Sequence, residues 1–433
     1  MGRRASWTIL AVISFVAFLQ PLETIVASTR NGRILRLNEE EEEEERWKQQ
    51  QQQQQEAVLQ GLRQSLLLEQ RHEEYRVLAL GGSVTWGNGL KDNKRKELAY
   101  PHLLSNHPNT TVDNLAMRSE GSTIPARCLQ TLTTRDTTGF LTEHRAANKK
   151  EVAAYNVILL EFTINGVSHL VELGQRLRER YPDATIVYID HHILGWTRQD
   201  KQEKLGRYIH PAMKEIGGHI YTLPMLPQQD RRRESSWFTP DGIHLSRLGH
   251  LQVATGILHL LNKTMVKPVS QSRIGPWSVG DYCWSWFMSG TIPPGVRLVG
   301  GRMVEFNSNG KFAYEIEARD NNDNNTAAIV QFHNPYSNQN ATVAISFMVQ
   351  GPPNINPYPP TRASLGQQQS TIVLETSLQR TSHIQKTIVV GTTWQEGTNT
   401  VRLEPLRKTK WPLRITGVSL QLVVASSLAI STE

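Results

Sequence analysis

The chain has 433 residues, room for two domains or three, and its 38% apolar and 20% charged content excludes a disordered or fibrous protein. The formal net charge is +7, but residues 39–45 are seven consecutive glutamates, so the remainder carries +14. That excess suits anionic polysaccharide or phospholipid surfaces. No basic–aromatic nucleic-acid motif is present, so no nucleic-acid partner is expected.

The N-terminus sets the expected compartment. Arg3 and Arg4 precede an apolar run of 13 residues, Trp7 to Leu19, shorter than the ~20 residues of a spanning helix. Residues 1–28 read as a signal peptide cleaved after Ser28, or as an uncleaved signal anchor of a type II lumenal membrane protein. Either reading sends the chain into the secretory pathway, secreted or Golgi-lumenal. Four N-x-S/T triplets, at Asn109, Asn262, Asn324 and Asn340, agree with that route. Residues 29–75 follow as a stem: the glutamate run, seven glutamines from Gln49 to Gln55, then Leu59, Leu62, Leu66 and Leu67 at helical spacing.

From residue 76 to 265 the pattern becomes α/β. Strands are expected at Val77–Leu80, Thr111–Leu115, Val157–Ile164, Thr185–Ile189 and His219–Leu223. Val167, Leu170, Val171, Leu173 and Leu177 form the apolar stripe of a helix that must end before Pro182. Leu245, Leu248, Leu251, Ile257, Leu258 and Leu261 mark a long closing helix. Continuous apolar strands alternating with helices predict a parallel sheet covered on both faces.

Residues 266–433 lose helical periodicity. Short β-favouring runs at Phe312–Ile316, Ala328–Phe332, Ala341–Val349, Thr371–Leu374, Thr387–Val390, Thr400–Leu403 and Ile415–Val424 lie between turn residues and predict a β-sandwich. The two cysteines, Cys128 and Cys283, exclude a disulfide framework and show no metal-ligand spacing. They form either one long-range bridge in an oxidising compartment or two buried thiols.

An open parallel sheet binds ligands beyond the carboxyl ends of its strands. Ser83 follows the first strand, Asn114 to Gly121 the second, and Asn165 the third; Asp241 and His244 lie before the closing helix. A serine hydroxyl is a weak nucleophile until a base takes its proton. Histidine titrates near neutrality and can hold and return that proton, and an aspartate three residues away can fix its ring. The backbone N–H groups of Ser83 and Gly121 and the Asn165 amide are candidate donors to a developing oxyanion.

These residues fall in four blocks, G-G-S-V-T-W-G, N-L-A-M-R-S-E-G, F-T-I-N-G and D-G-I-H. In this order they resemble the SGNH/GDSL hydrolase superfamily over about residues 76–262. The resemblance implies a three-layer α/β/α fold and ester hydrolysis through an acyl-enzyme on Ser83, with His244 and Asp241 completing the triad and no metal or cofactor. The sequence departs from the family pattern at Gly82, where an aspartate is usual, and at Thr163 and Gly166. In the second block Ser119 is an alternative to Gly121 as donor.

Other residues read as structural: His250 as a packed or exposed helix residue, Asp190-His191-His192 as structural or substrate-lining, Trp277, Trp284 and Trp286 as core or a sugar surface, and Arg231-Arg232-Arg233 as a solvated loop. Three functions compete. One is a secreted or lumenal esterase, acting on O-acetyl groups of glycans with the β-rich region as accessory module. The second is a lumenal polysaccharide O-acyltransferase using the same triad, since Golgi polysaccharide O-acetyltransferases have a similar anchor, stem and Asp-x-x-His. The third is an inactive carbohydrate-binding protein.

Overall fold

The computed structural model describes residues 74–90, 95–134, 154–226, 234–264, 266–277, 280–306, 310–317, 327–337, 339–349, 358–366, 371–374, 384–406 and 412–423. The expected signal or anchor and all but the last two residues of the stem lie outside the described residues. Among the described residues no helix is long and apolar enough to cross a membrane.

Five parallel strands, β1 (Tyr75–Gly81), β2 (Thr110–Asn114), β3 (Val157–Glu161), β4 (Thr185–Asp190) and β5 (His219–Thr222), form a sheet in the order β2-β1-β3-β4-β5. Every residue of β3 and β4 is buried, as a sheet covered on both faces requires. Leu78, Leu80, Ile158, Leu160, Ile186 and Tyr188 share one core with Ile124 of α4 (Thr123–Arg127), Leu173 and Leu177 of α6 (Leu170–Arg180), and Met213 of α8 (His210–Glu215). The other helices are α1 (Ser83–Trp86), α2 (Arg95–Leu98), α3 (Tyr100–Ser105), α5 (Leu129–Thr134), α7 (Arg198–Lys204) and the closing helix α9 (Arg247–Lys263). Helix α3 packs against α9, Tyr100 stacking on His250. This is the expected α/β architecture.

Strand β3 is shorter than the sequence suggests. The Glu161 carboxylate, buried at the strand end, accepts the Thr163 N–H at 3.1 Å and turns the chain away before Ile164. Helix α6 begins at Leu170, not Val167, and stops at Arg180 before Pro182.

The C-terminal region is antiparallel. Its strands are β6 (Asp281–Ser285), β7 (Val296–Val299), β8 (Arg302–Phe306), β9 (Lys311–Ile316), β10 (Ala328–Asn334), β11 (Ala341–Val349), β12 (Thr361–Leu365), β13 (Thr371–Leu374), β14 (Ile384–Thr393), β15 (Gly397–Pro405) and β16 (Leu413–Leu422). They form two sheets, β13-β12-β15-β10-β7 and β14-β11-β16-β9-β8, with β6 added onto β16. Val330, Val401 and Leu403 of one sheet and Val343, Ile345 and Val418 of the other enter one buried core. That is the expected sandwich-like packing.

The two regions are joined by specific chemistry within one compact unit, residues 72–433. Cys128 and Cys283 form a disulfide across 155 residues, resolving the alternative left open above. Beside it, the Asp281 carboxylate on β6 accepts the Gln130 and Thr131 N–H groups at the start of α5, at 2.9 and 2.8 Å, and Arg176 Nη2 at 2.6 Å. One strand of the sandwich thus caps a helix of the α/β region. Trp86 at the end of α1 and Ala116 in the loop after β2 pack with Phe287, Met288, Phe306 and Tyr358.

Candidate active site

The chain leaves β1 through two glycines that cannot carry side chains. A Cβ on Gly81 would stand 2.1 Å from Thr85 Oγ1, and one on Gly82 would stand 2.4 Å from Asn165 Nδ2. Ser83 then opens the short helix α1 and is buried. Thr85 Oγ1 pins this helix, bonded to Glu161 Oε2 at 3.1 Å and paired with Tyr100 Oη at 2.9 Å.

His244 is presented by a turn rather than a helix. Thr239 N–H donates to the His244 carbonyl at 2.8 Å and Ser246 N–H to the Trp237 carbonyl at 2.9 Å, with Gly242 at φ 66° between. Asp241 Oδ1 accepts the Ile243 and His244 N–H groups and the Thr239 hydroxyl, at 2.8, 3.0 and 2.7 Å. Its second oxygen, Oδ2, meets His244 Nδ1 at 2.6 Å. Partial burial pushes the Asp241 carboxyl up, but His244, Thr239 and the backbone donors outweigh it and hold it well below the usual carboxylate range. With Asp241 ionised, Nδ1 carries a proton and donates to it, so in the neutral ring Nε2 is the acceptor. That Nε2 lies 3.0 Å from Ser83 Oγ. Helix α9 is capped by Ser246, whose Oγ accepts the Gly249 N–H.

The loops after β2 and β3 meet beside Ser83. Asn165 Nδ2 donates to the Glu120 carbonyl at 2.9 Å, and Ser122 N–H to the Gly166 carbonyl at 3.0 Å. Gly121 allows this approach, since a Cβ there would stand 2.7 Å from the Gly166 oxygen. The Glu120 carboxyl beside it is buried, which pushes it well above its usual range, although its Oε1 accepts the Ile124 N–H at 3.3 Å. The alternative donor, Ser119, sits at φ 60°, and its hydroxyl receives Lys311 Nζ from β9 at 2.6 Å.

Sequence reasoning missed Asn88 and Arg118. Asn88 Nδ2 lies 2.9 Å from His244 Nε2, and Arg118 Nη2 donates to Asn88 Oδ1 at 3.2 Å. Asn88 stands between Gly87 and Gly89, a pattern that signals only a turn. His250 is packed: Tyr100 N–H donates to its Nδ1 at 3.3 Å, and burial pushes it down to about 3. Asp190, His191 and His192 are buried, His192 Nε2 meeting Glu234 Oε1 at 2.6 Å and Asp190 Oδ2 lying 3.3 Å from Lys201 Nζ. Among the described residues no group of His, Cys, Asp and Glu could hold a metal ion. Trp284 and Trp286 are core residues of the sandwich, and Trp277 lies under the Arg180 guanidinium. Arg231, Arg232 and Arg233 lie outside the described residues.

No family model and no curated protein matches the chain. Several solved structures are similar to it. A two-domain esterase active on acetylated mannans has 12% identity and a TM-score of 0.48, over 84% of this chain and 94% of that one. A psychrotrophic esterase from Pseudoalteromonas sp. has 14% identity and a TM-score of 0.32, over 44% of this chain and 98% of that one. A family two carbohydrate esterase from Clostridium thermocellum, in complex with cellohexaose, has 15% identity and a TM-score of 0.30, over 44% of this chain and 65% of that one. The parallel sheet flanked by helices matches the α/β fold that the resemblance to the SGNH/GDSL superfamily implies.

Proposed function

We propose that the protein is a serine esterase that hydrolyses carboxylic esters through an acyl-enzyme on Ser83, with O-acetyl groups of glycans as the substrate class. What supports this reading is one unbroken line of hydrogen bonds. It runs from Asp241 through His244 to Ser83, at 2.6 and 3.0 Å, and it assembles where a parallel sheet opens to ligands.

In the proposed cycle, Ser83 Oγ attacks the acyl carbonyl carbon while its proton passes to His244 Nε2. The tetrahedral oxyanion is met by the Ser83 N–H and by Asn165, whose amide group has a second N–H besides the one held by Glu120. The Gly121 N–H is the third donor in this reading. His244 then returns the proton to the alcohol oxygen as the ester C–O bond breaks. Water repeats the attack on acyl-Ser83, again through His244, and the acid leaves with Ser83 restored.

The test is turnover of p-nitrophenyl acetate, then acetate release from O-acetylated glycans, by wild type, Ser83→Ala and His244→Ala. Wild-type turnover with a loss of about 10³-fold or more in both variants is expected. Three equally inert proteins, with Ser83 unreactive toward a fluorophosphonate, would overturn the reading. Turnover that requires a sugar acceptor would assign the acyltransferase activity in its place.

A further inference from the structure

We infer that Asn88, aimed by Arg118, is a positioning residue that keeps His244 Nε2 free of a proton at rest and so carries the activity of the Ser83 site to lower pH. The inference rests on the esterase reading for its kinetic consequence, but not for its structural one.

The hydrogen bonds admit one assignment. Arginine has only donors, so the Asn88 atom 3.2 Å from Arg118 Nη2 must be the carboxamide oxygen. The other end, the amide nitrogen, then faces His244 Nε2 at 2.9 Å and can only donate. Nε2 accepts, so it is bare. Asp241 independently selects the same tautomer of the neutral ring, because its Oδ2 accepts the Nδ1–H at 2.6 Å. Arg118 and Asp241, 123 positions apart in the chain, thus enforce one state of the ring from its two sides.

The chain is built to bring Asn88 there. The Asn88 N–H donates to the Ser83 carbonyl at 2.8 Å, closing the turn directly behind the nucleophile. Gly87 and Gly89 take φ of 87° and 91°, which side-chain-bearing residues rarely adopt. At Gly89 a Cβ would stand only 2.8 Å from the His244 Cβ. The turn is therefore seated against the histidine, with no room for another residue type at 89.

Protonation of Nε2 changes the balance. An imidazolium N–H would confront the Asn88 N–H at 2.9 Å, with the Arg118 guanidinium behind it. A hydrogen bond made only to the neutral form disfavours the charged one. Among the described residues the other groups on the ring are Asp241, whose carboxylate favours the imidazolium, and Ser83, which is neutral. His250, on α9, is neutral because of its burial. Lys311 lies beyond Ser119 and adds a further positive charge on the Arg118 side. Asn88 is thus the contact at Nε2 that opposes Asp241. Ser83 Oγ, at 3.0 Å, shares the same lone pair.

The test is the pH profile of kcat/KM for p-nitrophenyl acetate, from pH 4 to 9, with the full chain carrying Asn88→Ala or Asn88→Asp. The His244 ring signal is titrated in parallel by NMR and identified by its loss in His244→Asn. Asn88→Ala is expected to move the acid limb and the ring midpoint up by about 0.5–1 pH unit. Asn88→Asp, which offers an acceptor to the imidazolium, is expected to move both by about 1–3 units. A fall in rate with both midpoints fixed, or a downward shift, would show Asn88 to be merely structural and overturn the inference. If no variant turns over ester, the NMR midpoint still decides it, so failure of the esterase reading is seen separately.

Discussion

Exchanging Asp241 for asparagine tests the geometry at its narrowest point. Asp241 Oδ1 accepts three donors that hold the turn, whereas Oδ2 faces only His244 Nδ1. An asparagine at 241 keeps its carbonyl oxygen on the three donors and turns its amide nitrogen toward the ring. Nδ1 must then accept, so the ring proton moves to Nε2. There it points at Ser83 and at the Asn88 amide, and no base remains for the Ser83 hydroxyl. In the serine-protease triad the equivalent exchange lowers kcat about 10⁴-fold, which is about 5.5 kcal/mol at 1.36 kcal/mol per decade. The same fall is expected here in p-nitrophenyl acetate turnover and in the rate of fluorophosphonate labelling. The thermal midpoint should stay close to wild type, because the turn is kept. Asp241→Ala, which removes the turn acceptor as well, should lower both. A loss under tenfold in a folded Asp241→Asn protein would refute the argument that this carboxylate fixes the tautomer.

Three other perturbations follow from the packing. Asp281→Ala removes the carboxylate that faces Arg176 and caps α5; urea denaturation should show a loss of about 3–5 kcal/mol. Replacing Cys128 and Cys283 together by serine should cost up to about 5 kcal/mol in the same assay, the chain-entropy value for a span of 155 residues. Gly249→Ala puts a Cβ 2.0 Å from the Trp237 carbonyl oxygen, which anchors the turn carrying Asp241 and His244. It should cost about 1–3 kcal/mol by urea denaturation, and it should also depress turnover because the base is displaced.

Much of the α/β region was legible because its signal is local. Strands β3 and β4 are buried on both faces, so they read as unbroken apolar runs, and Pro182 marks the end of α6. Strands β6, β7, β8 and β12 were not expected. β12, T-R-A-S-L, has no apolar run, and β7 is half exposed, so only pairing with neighbours makes them strands. In the site, Ser83, Asp241 and His244 stood out through their blocks. Asn88 did not, because an asparagine between glycines is an ordinary turn and its partner lies 156 residues away. Lys311 was equally hidden, since it reaches Ser119 from the other region across 192 residues.

The joint at Asp281 changes what the composition shift near residue 266 means. A chain cut there would take the acceptor from the first amides of α5, sever the crosslink at Cys128 and uncover Trp86, three residues from Ser83. The β-rich part is therefore no passenger on a tether that could be exchanged for another binding module. It is masonry, and the visible change of texture in the sequence is not a line along which the protein can be divided.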